Sequence, residues 1–94
     1  MGSERLVFRV HAIQRMFERG ISDEDVRQVL ETGKTIESYP DDEPYSSRLV
    51  LGWSGARSIH LVVADNQDQD EIVVITAYEP DPDRWAPGFS KRRP

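Results

Sequence analysis

The chain has 94 residues, of which 37% are hydrophobic, and it carries a formal net charge of −5 at pH 7. This length predicts a single domain over residues 1–94, with the core in about residues 5–80 and an irregular tail over residues 81–94. The acidic net charge argues against a protein that coats nucleic acid nonspecifically. The lack of cysteine excludes disulfides and a thiolate nucleophile. Because no apolar run approaches about 20 residues, we expect a cytoplasmic protein without membrane contact.

The first predicted elements are a short strand and two helices. Leu6 to Val10 alternates weakly between apolar and polar residues, as a strand does, and a helix is expected from near His11. Gly20 ends this helix, because glycine readily takes the left-handed conformation of a C-cap. Ser22 then begins a second helix, in which Asp25 at the third helical position completes a capping box. The two helices are therefore expected to form a tight hairpin.

Beyond Gly33 the hydrophobic pattern changes from a helical period to a strand period. The predicted strands are Thr35 to Tyr39, Ser47 to Trp53, Ser58 to Ala64 and Glu71 to Tyr78. Prolines and acidic residues separate the first two strands, and a polar loop separates the last two. This order predicts an α+β domain, in which an N-terminal two-helix hairpin packs on an antiparallel sheet of about four strands, with or without the short first strand before the helices.

One face of the first helix carries three groups that suit an anion. His11, Arg15 and Arg19 are four residues apart, so each lies only about 40° further around a helix than the one before. Guanidinium groups bind phosphate oxygens bidentately, and an imidazole exchanges a proton near neutral pH. The spacing therefore indicates a phosphate-binding face, although a solvated helix face has the same pattern.

Several short motifs occur along the chain in the order found in a known family. They are His11-Ala12, Arg15-Met16, Glu18 to Ser22, Ile36-Glu37, Tyr39 to Asp42, Leu49 to Gly52, His60 to Val63 and Ile75 to Pro80. From about His11 to Trp85 the chain thus resembles the DUF4258 family, a domain of undocumented biochemistry. That family is similar in layout to the RelE/ParE superfamily of small bacterial toxins, and its members resemble toxins whose antitoxins have a zinc-finger domain. The resemblance implies a toxin that is a metal-independent endoribonuclease, with RNA and a cognate antitoxin as partners.

Such an enzyme needs a base for the 2′-hydroxyl, cations for the phosphorane and an acid for the leaving oxygen, but no cofactor or metal. The candidate catalytic residues are His11, Arg15, His60 and Tyr78. The candidate substrate-binding residues are Arg19, Arg48 and Glu79, of which Glu79 is also an alternative base if burial raises its pKa. The cationic run Lys91 to Arg93 could contact RNA as well, although terminal charge runs are usually solvated.

Each candidate also has a structural interpretation. His11 can cap or support the helix that it begins, and Arg15 and Arg19 can pair with nearby acidic residues. His60 lies in an apolar strand, where a buried, hydrogen-bonded histidine is the alternative to a site residue. If these interpretations hold, the chain is a noncatalytic protein-interaction module of the same fold. The two functions differ in whether His11 and Arg15 open onto the same face as His60 and Tyr78.

Overall fold

Two helices and five strands form the part of the chain that the structure describes, residues 5–94 of a computed structural model. In chain order they are β1 (Arg5–Phe8), α1 (Val10–Arg19), α2 (Asp23–Thr32), β2 (Lys34–Tyr39), β3 (Ser47–Ser54), β4 (Arg57–Asn66), a single 3₁₀ turn (Gln67–Gln69) and β5 (Glu71–Tyr78). The predicted α+β fold is confirmed, and so is the short strand before the helices. In residues 5–94 neither helix is long and apolar enough to cross a membrane.

The sheet is mixed, where the sequence predicted an antiparallel one. Its strand order is β1-β5-β4-β3-β2. The strands β2 to β5 form the predicted antiparallel meander, whereas β1 pairs in parallel with β5, with Leu6 opposite Ile72. The chain reaches this arrangement because both helices follow β1 and carry the chain to the far edge of the sheet. The meander then returns to β1 with β5 running in the same direction.

The helix boundaries have local causes that the sequence contains. Gly20 follows α1 in the left-handed conformation, with φ 65°, and its N–H turns back toward the last carbonyls of the helix. Ser22 and Asp25 form the predicted capping box, in which each side chain accepts a hydrogen bond from the backbone N–H of the other residue. Gly33, after α2, is extended at φ −91°. A Cβ there would lie 2.4 Å from the carbonyl oxygen of Val29, so close packing requires glycine at this position.

The hydrophobic core fills the space between the helices and one face of the sheet. The helices contribute Ala12, Met16, Val26 and Val29, and the sheet contributes Val50, Ile59, Leu61, Val63, Val74 and Ala77. Because side chains alternate along a strand, the neighbouring residues Leu51 and His60 lie on the opposite face, where they stand directly across from each other. Both are buried although no helix covers them.

The chain beyond β5 covers part of this second face. Trp85 is 3% exposed and forms an isolated antiparallel bridge with Arg92. We call residues 84–93 the C-terminal hairpin. It turns back at Gly88, where φ is 89°, and its two arms are joined by hydrogen bonds from Ala86 N–H to the Lys91 carbonyl and from Arg93 N–H to the Arg84 carbonyl. A segment predicted to be irregular is thus held together by its own backbone and anchored by a buried tryptophan.

Candidate functional site

A cleft of about 630 Å³ lies where β5 ends and the C-terminal hairpin begins. Its lining residues are Arg19, Tyr78, Glu79, Asp81, Arg84, Trp85 and Arg92. Three of these are guanidinium groups, two are carboxylates and two are aromatic. A concave site of this volume, with polar groups converging on it, is typical of a binding site for a small molecule or for one or two units of a polymer.

The three arginines of the cleft differ in how far they are already engaged. Arg92 donates two hydrogen bonds to Glu37, at 2.8 Å and 3.0 Å, and its Cζ lies 4.7 Å from the centre of the Trp85 ring. The Arg92 guanidinium holds the pKa of the Glu37 carboxyl below its ordinary value. Arg19, the last residue of α1, donates from Nη1 to the Ala77 carbonyl at 2.9 Å.

Arg84 is the most available cation of this cleft. Its side chain is 82% exposed, and its Nε lies 4.0 Å from the Asp81 carboxylate, the limit of an ion pair. Exposed pairs of this kind contribute little to stability. An incoming anion therefore meets one guanidinium that is nearly unengaged, Arg84, and one that keeps donor groups beyond its single bond, Arg19.

Tyr78 and Glu79 stand side by side at the end of β5. Burial raises the pKa of the half-buried Tyr78 phenol, which therefore keeps its proton at neutral pH, and within residues 5–94 its hydroxyl has no hydrogen-bond partner. Glu79 is more exposed and accepts a hydrogen bond from Arg57 Nε at 2.7 Å. Arg57 also donates to the carbonyls of Arg19 and Gly20, so it ties this carboxylate to the end of α1.

His60 lies behind the cleft in the interior of the protein. It is 0% exposed, and its Nε2 is 2.8 Å from the carbonyl oxygen of Phe89. Burial lowers the pKa of the imidazole, so the ring is neutral and its Nε2–H donates to that carbonyl. Its Nδ1 is buried with no partner among the described residues. The Tyr78 and Trp85 rings contact it edge-on, at centroid distances of 5.4 Å and 4.5 Å. His60 thus has the environment of a core histidine, the alternative that the sequence left open.

The other predicted site residues lie away from the cleft. His11 is exposed near the start of α1, eight residues and about 12 Å along the helix from Arg19. Arg15 donates to Glu18 at 3.3 Å on the exposed surface. Arg48, on β3, forms a two-point ion pair with Asp65 at 2.8 Å and 3.1 Å. The structure therefore brings Arg19, Tyr78 and Glu79 together in the cleft. His11, Arg15 and Arg48 lie elsewhere on the protein.

Comparison with known proteins places the chain in a family. A model described as a domain of unknown function, DUF4258, matches residues 8–79. The chain belongs to the DUF4258 family. No curated protein and no solved structure matches it. The family resemblance seen in the motifs is thereby confirmed, and the match ends at Glu79, in the middle of the cleft.

The DUF4258 match divides the cleft into two parts. Arg19, Tyr78 and Glu79 lie within the matched residues, whereas Asp81, Arg84, Trp85 and Arg92 lie beyond them. The residues beyond the match were not among the sequence-predicted site residues. Arg92 belongs to the cationic run near the C-terminus, and this run was the sequence feature that could have indicated it. Nothing in the sequence placed that run against the end of β5.

Proposed function

We propose that this DUF4258 protein is a metal-independent endoribonuclease that acts on RNA in the cytoplasm as the toxin of a toxin–antitoxin system. The observation that carries the proposal is the cleft, where a neutral phenol, a carboxylate and arginine side chains converge on a protein of net charge −5. Local cations of this kind suit one phosphodiester rather than a long charged surface. Two helices ahead of an antiparallel meander also resemble the layout of RelE/ParE toxins, and this resemblance supports the same activity.

The cleft contains a group for each step of RNA cleavage. The Glu79 carboxylate accepts the proton of the 2′-hydroxyl, and the 2′-oxygen forms a bond to the adjacent phosphorus. The bond from phosphorus to the 5′-oxygen breaks, and the Tyr78 phenol donates its proton to that oxygen. Arg19 and Arg84 donate hydrogen bonds to the nonbridging oxygens as charge develops on them. The products are a 2′,3′-cyclic phosphate and a 5′-hydroxyl, and no other reactant is consumed.

The remaining sequence-predicted residues take other places in this proposal. His60 is a positioning residue, because it packs against Tyr78 from the interior and is closed off from substrate by Trp85. The proposed chemical steps do not use His11, Arg15 or Arg48, since none of them lines the cleft. Their predicted catalytic and binding roles stay predictions, which alanine substitutions at these positions will test.

The activity is tested with purified full-length protein and a labelled single-stranded RNA in EDTA. We expect cleavage that leaves 2′,3′-cyclic phosphate ends, and a loss of about 10²-fold or more in rate for Tyr78→Phe and Glu79→Gln at unchanged melting temperature. We also expect Arg84→Ala to slow cleavage, and Arg27→Ala is its matched control, because Arg27 is an exposed arginine on α2 whose ion pair with Asp23 is long, at 3.8 Å. RNA that stays intact, or equal rates for wild type and both Tyr78→Phe and Glu79→Gln, would refute the proposal.

The same variants test the toxin role in cells. Induced expression of the wild-type chain is expected to arrest growth, and expression of Tyr78→Phe at the same level is expected to permit it. Arg27→Ala should arrest growth as the wild type does. Normal growth with well-folded wild-type protein, together with intact cellular RNA, would count against an RNA-cleaving toxin.

A second candidate function is a noncatalytic protein-interaction module, which an exposed apolar stripe on α1 favours. Val10, Ile13 and Phe17 are 70%, 54% and 88% exposed and follow the i, i+3, i+7 spacing of one helix face. An exposed stripe of this kind is typical of a protein-binding surface. If the chain is a toxin, the protein that binds the stripe on α1 is the cognate antitoxin, for which the family resemblance suggests a zinc-finger domain.

The two functions are separated by the partner's effect on RNA cleavage. The product of the adjacent reading frame is co-expressed with the chain, and co-purification is compared between wild type and Phe17→Ser. If the wild-type chain alone cleaves RNA and the partner stops it, the chain is a toxin. If the chain binds the partner but never cleaves RNA, the interaction module is the correct function.

A further inference from the structure

The C-terminal hairpin concentrates positive charge on an acidic protein. Residues 84–94 contain four of the twelve lysines and arginines and none of the seventeen aspartates and glutamates. Among residues 5–94 these cations are fixed to the fold rather than spread along a loose tail, because Trp85 is buried, Arg92 is bound to Glu37 and the two arms share backbone hydrogen bonds. The charge therefore has a defined location beside the cleft.

The geometry of the hairpin places three of its cations on one face. In the antiparallel bridge Trp85 pairs with Arg92, so the next pair outward is Arg84 with Arg93, joined by a 2.9 Å backbone hydrogen bond. Trp85 and Arg92 lie toward the sheet, where they contact His60 and Glu37. Because successive side chains alternate, Arg84 and Arg93 lie on the opposite side.

Lys91 falls on the same side as these two arginines. It stands across from Ala86, to which its carbonyl is hydrogen-bonded at 2.8 Å, and it is separated from Arg93 by one residue. All three cations are exposed. We call Arg84, Lys91 and Arg93 the outer face of the hairpin.

Within residues 5–94 the outer face has one distant acidic partner, Asp81, which does not neutralise its three cations. Like charges directly across an antiparallel pair repel, and Arg84 and Arg93 occupy such positions. The Arg84 guanidinium reaches only 4.0 Å from Asp81, and Arg93 Nε donates to the Pro82 carbonyl, which is uncharged. Lys91 forms no ion pair within residues 5–94. An anion bound between these side chains would relieve the repulsion.

We propose that the outer face of the C-terminal hairpin binds the phosphate backbone of single-stranded RNA next to the phosphodiester that lies in the cleft. The identity of the anion rests on the proposed function, since the substrate of a ribonuclease is a chain of phosphates. Arg84 belongs both to the cleft and to the outer face, so a strand that leaves the cleft passes directly onto the hairpin. The substrate is accordingly an RNA strand of several nucleotides, and a dinucleotide lacks the phosphates that the outer face binds.

Binding is tested with a fluorescent 2′-O-methyl RNA of about 12 nucleotides, which offers the backbone but no 2′-hydroxyl proton for cleavage. Its affinity for the full chain is measured by anisotropy over a series of salt concentrations. The measured quantity is the slope of log affinity against log salt concentration, to which each contact with an RNA phosphate contributes about 0.7. Lys91→Ser/Arg93→Ser removes two such contacts, so we expect the magnitude of the slope to fall by about 1.4 and binding to weaken about 25-fold near 0.1 M salt. The matched control Arg9→Ser/Arg27→Ser changes the net charge equally at exposed arginines before α1 and on α2, and it should bind as the wild type does.

The outcomes separate this proposal from the ribonuclease activity. If both double variants weaken binding equally, or neither does, the outer face is not the binding surface and the proposal is overturned, whether or not the protein cleaves RNA. If Lys91→Ser/Arg93→Ser alone weakens binding, the proposal holds even for a protein that leaves RNA intact. In an active protein the same variant should raise KM for the longer RNA and leave cleavage of a dinucleotide unchanged, whereas an unchanged KM for the longer RNA would contradict the proposal.

Discussion

Lowering the pH from neutral is expected to destabilise this protein through His60, well before its carboxylates are protonated. The imidazole is fully buried, donates through Nε2–H to the Phe89 carbonyl and has no partner for Nδ1 within residues 5–94. Burial lowers its pKa from the ordinary value of 6.5. The unfolded chain therefore takes up a proton at a pH where the folded protein does not, so the folded state loses stability as the pH falls below about 6.5.

The size of this effect follows from proton linkage. While the folded imidazole stays neutral, one excess proton in the unfolded state lowers the free energy of unfolding by about 1.4 kcal/mol per pH unit. Below about pH 6.5 the loss grows as the pH falls, by no more than about 1.4 kcal/mol per pH unit, until the folded imidazole itself takes up a proton. The pKa values of Asp25 and Glu37 are also lowered, by the backbone N–H of Ser22 and by Arg92. Their contribution is lost only as the pH falls further, below their ordinary values of 3.8 and 4.5.

The assay is urea unfolding followed by tryptophan fluorescence at a series of pH values. His60→Gln is the comparison, because its amide can donate to the Phe89 carbonyl and does not titrate. The stability difference between wild type and variant should narrow as the pH falls from about 6.5 to 5, by no more than about 1.4 kcal/mol per pH unit. Titratable groups that the substitution leaves in place contribute equally to both proteins and cancel in the difference. Parallel profiles over this range would show that His60 is not held neutral in the interior, and the assignment of its role would fail.

Three further substitutions test the packing, the helix cap and the exposed stripe. Gly52→Ala places a Cβ 2.4 Å from the backbone oxygen of Val29, so we expect a loss of about 1–3 kcal/mol in urea unfolding, and a loss near zero would show that the sheet and α2 are less closely packed. Ser22→Ala removes the acceptor for the Asp25 N–H and should cost about 1 kcal/mol in the same measurement. Phe17→Ser, at a position that is 88% exposed, should change the free energy of unfolding by less than about 0.5 kcal/mol, and a larger loss would show that Phe17 is packed in solution.

The helix ends and the strand β5 could be predicted from the sequence because the residues that determine each of them lie close together in the chain. The capping box at Ser22 and Asp25 and the left-handed turn at Gly20 each depend on neighbouring backbone, so the sequence determines them directly. The strand β5 was predicted with its observed bounds, Glu71–Tyr78, because an unbroken run of β-branched residues lies between polar turns. The parallel pairing of β1 with β5 joins residues 66 positions apart, and no local pattern encodes that direction.

The candidate site was readable only where its residues share an element. Tyr78 and Glu79 were found because they end a clear strand, and Arg19 because it lies on a clear helix face. The same helix face continues for about 12 Å along α1, and only Arg19, its last member, reaches the end of β5, so the cleft does not include His11 or Arg15. The location of Arg84 in the cleft depends on where the hairpin lies. That position is set by the burial of Trp85 against His60, a contact between residues 25 positions apart that no local pattern encodes.

The net charge of −5 excluded a protein coated with positive charge, yet it says little about the ligand, because the acidic residues hold most of the arginines in place. Arg48, Arg57 and Arg92 are each bound to a carboxylate at 2.7 Å or 2.8 Å, and they contribute structure more than free charge. Arg84 and Lys91 have no such partner within hydrogen-bond distance among the described residues. The electrostatic potential that an approaching phosphate meets depends on these weakly paired cations at the cleft and the hairpin more than on the net charge of the whole protein. An acidic protein can therefore have an RNA-binding surface, provided that its acidic residues pair with arginines elsewhere.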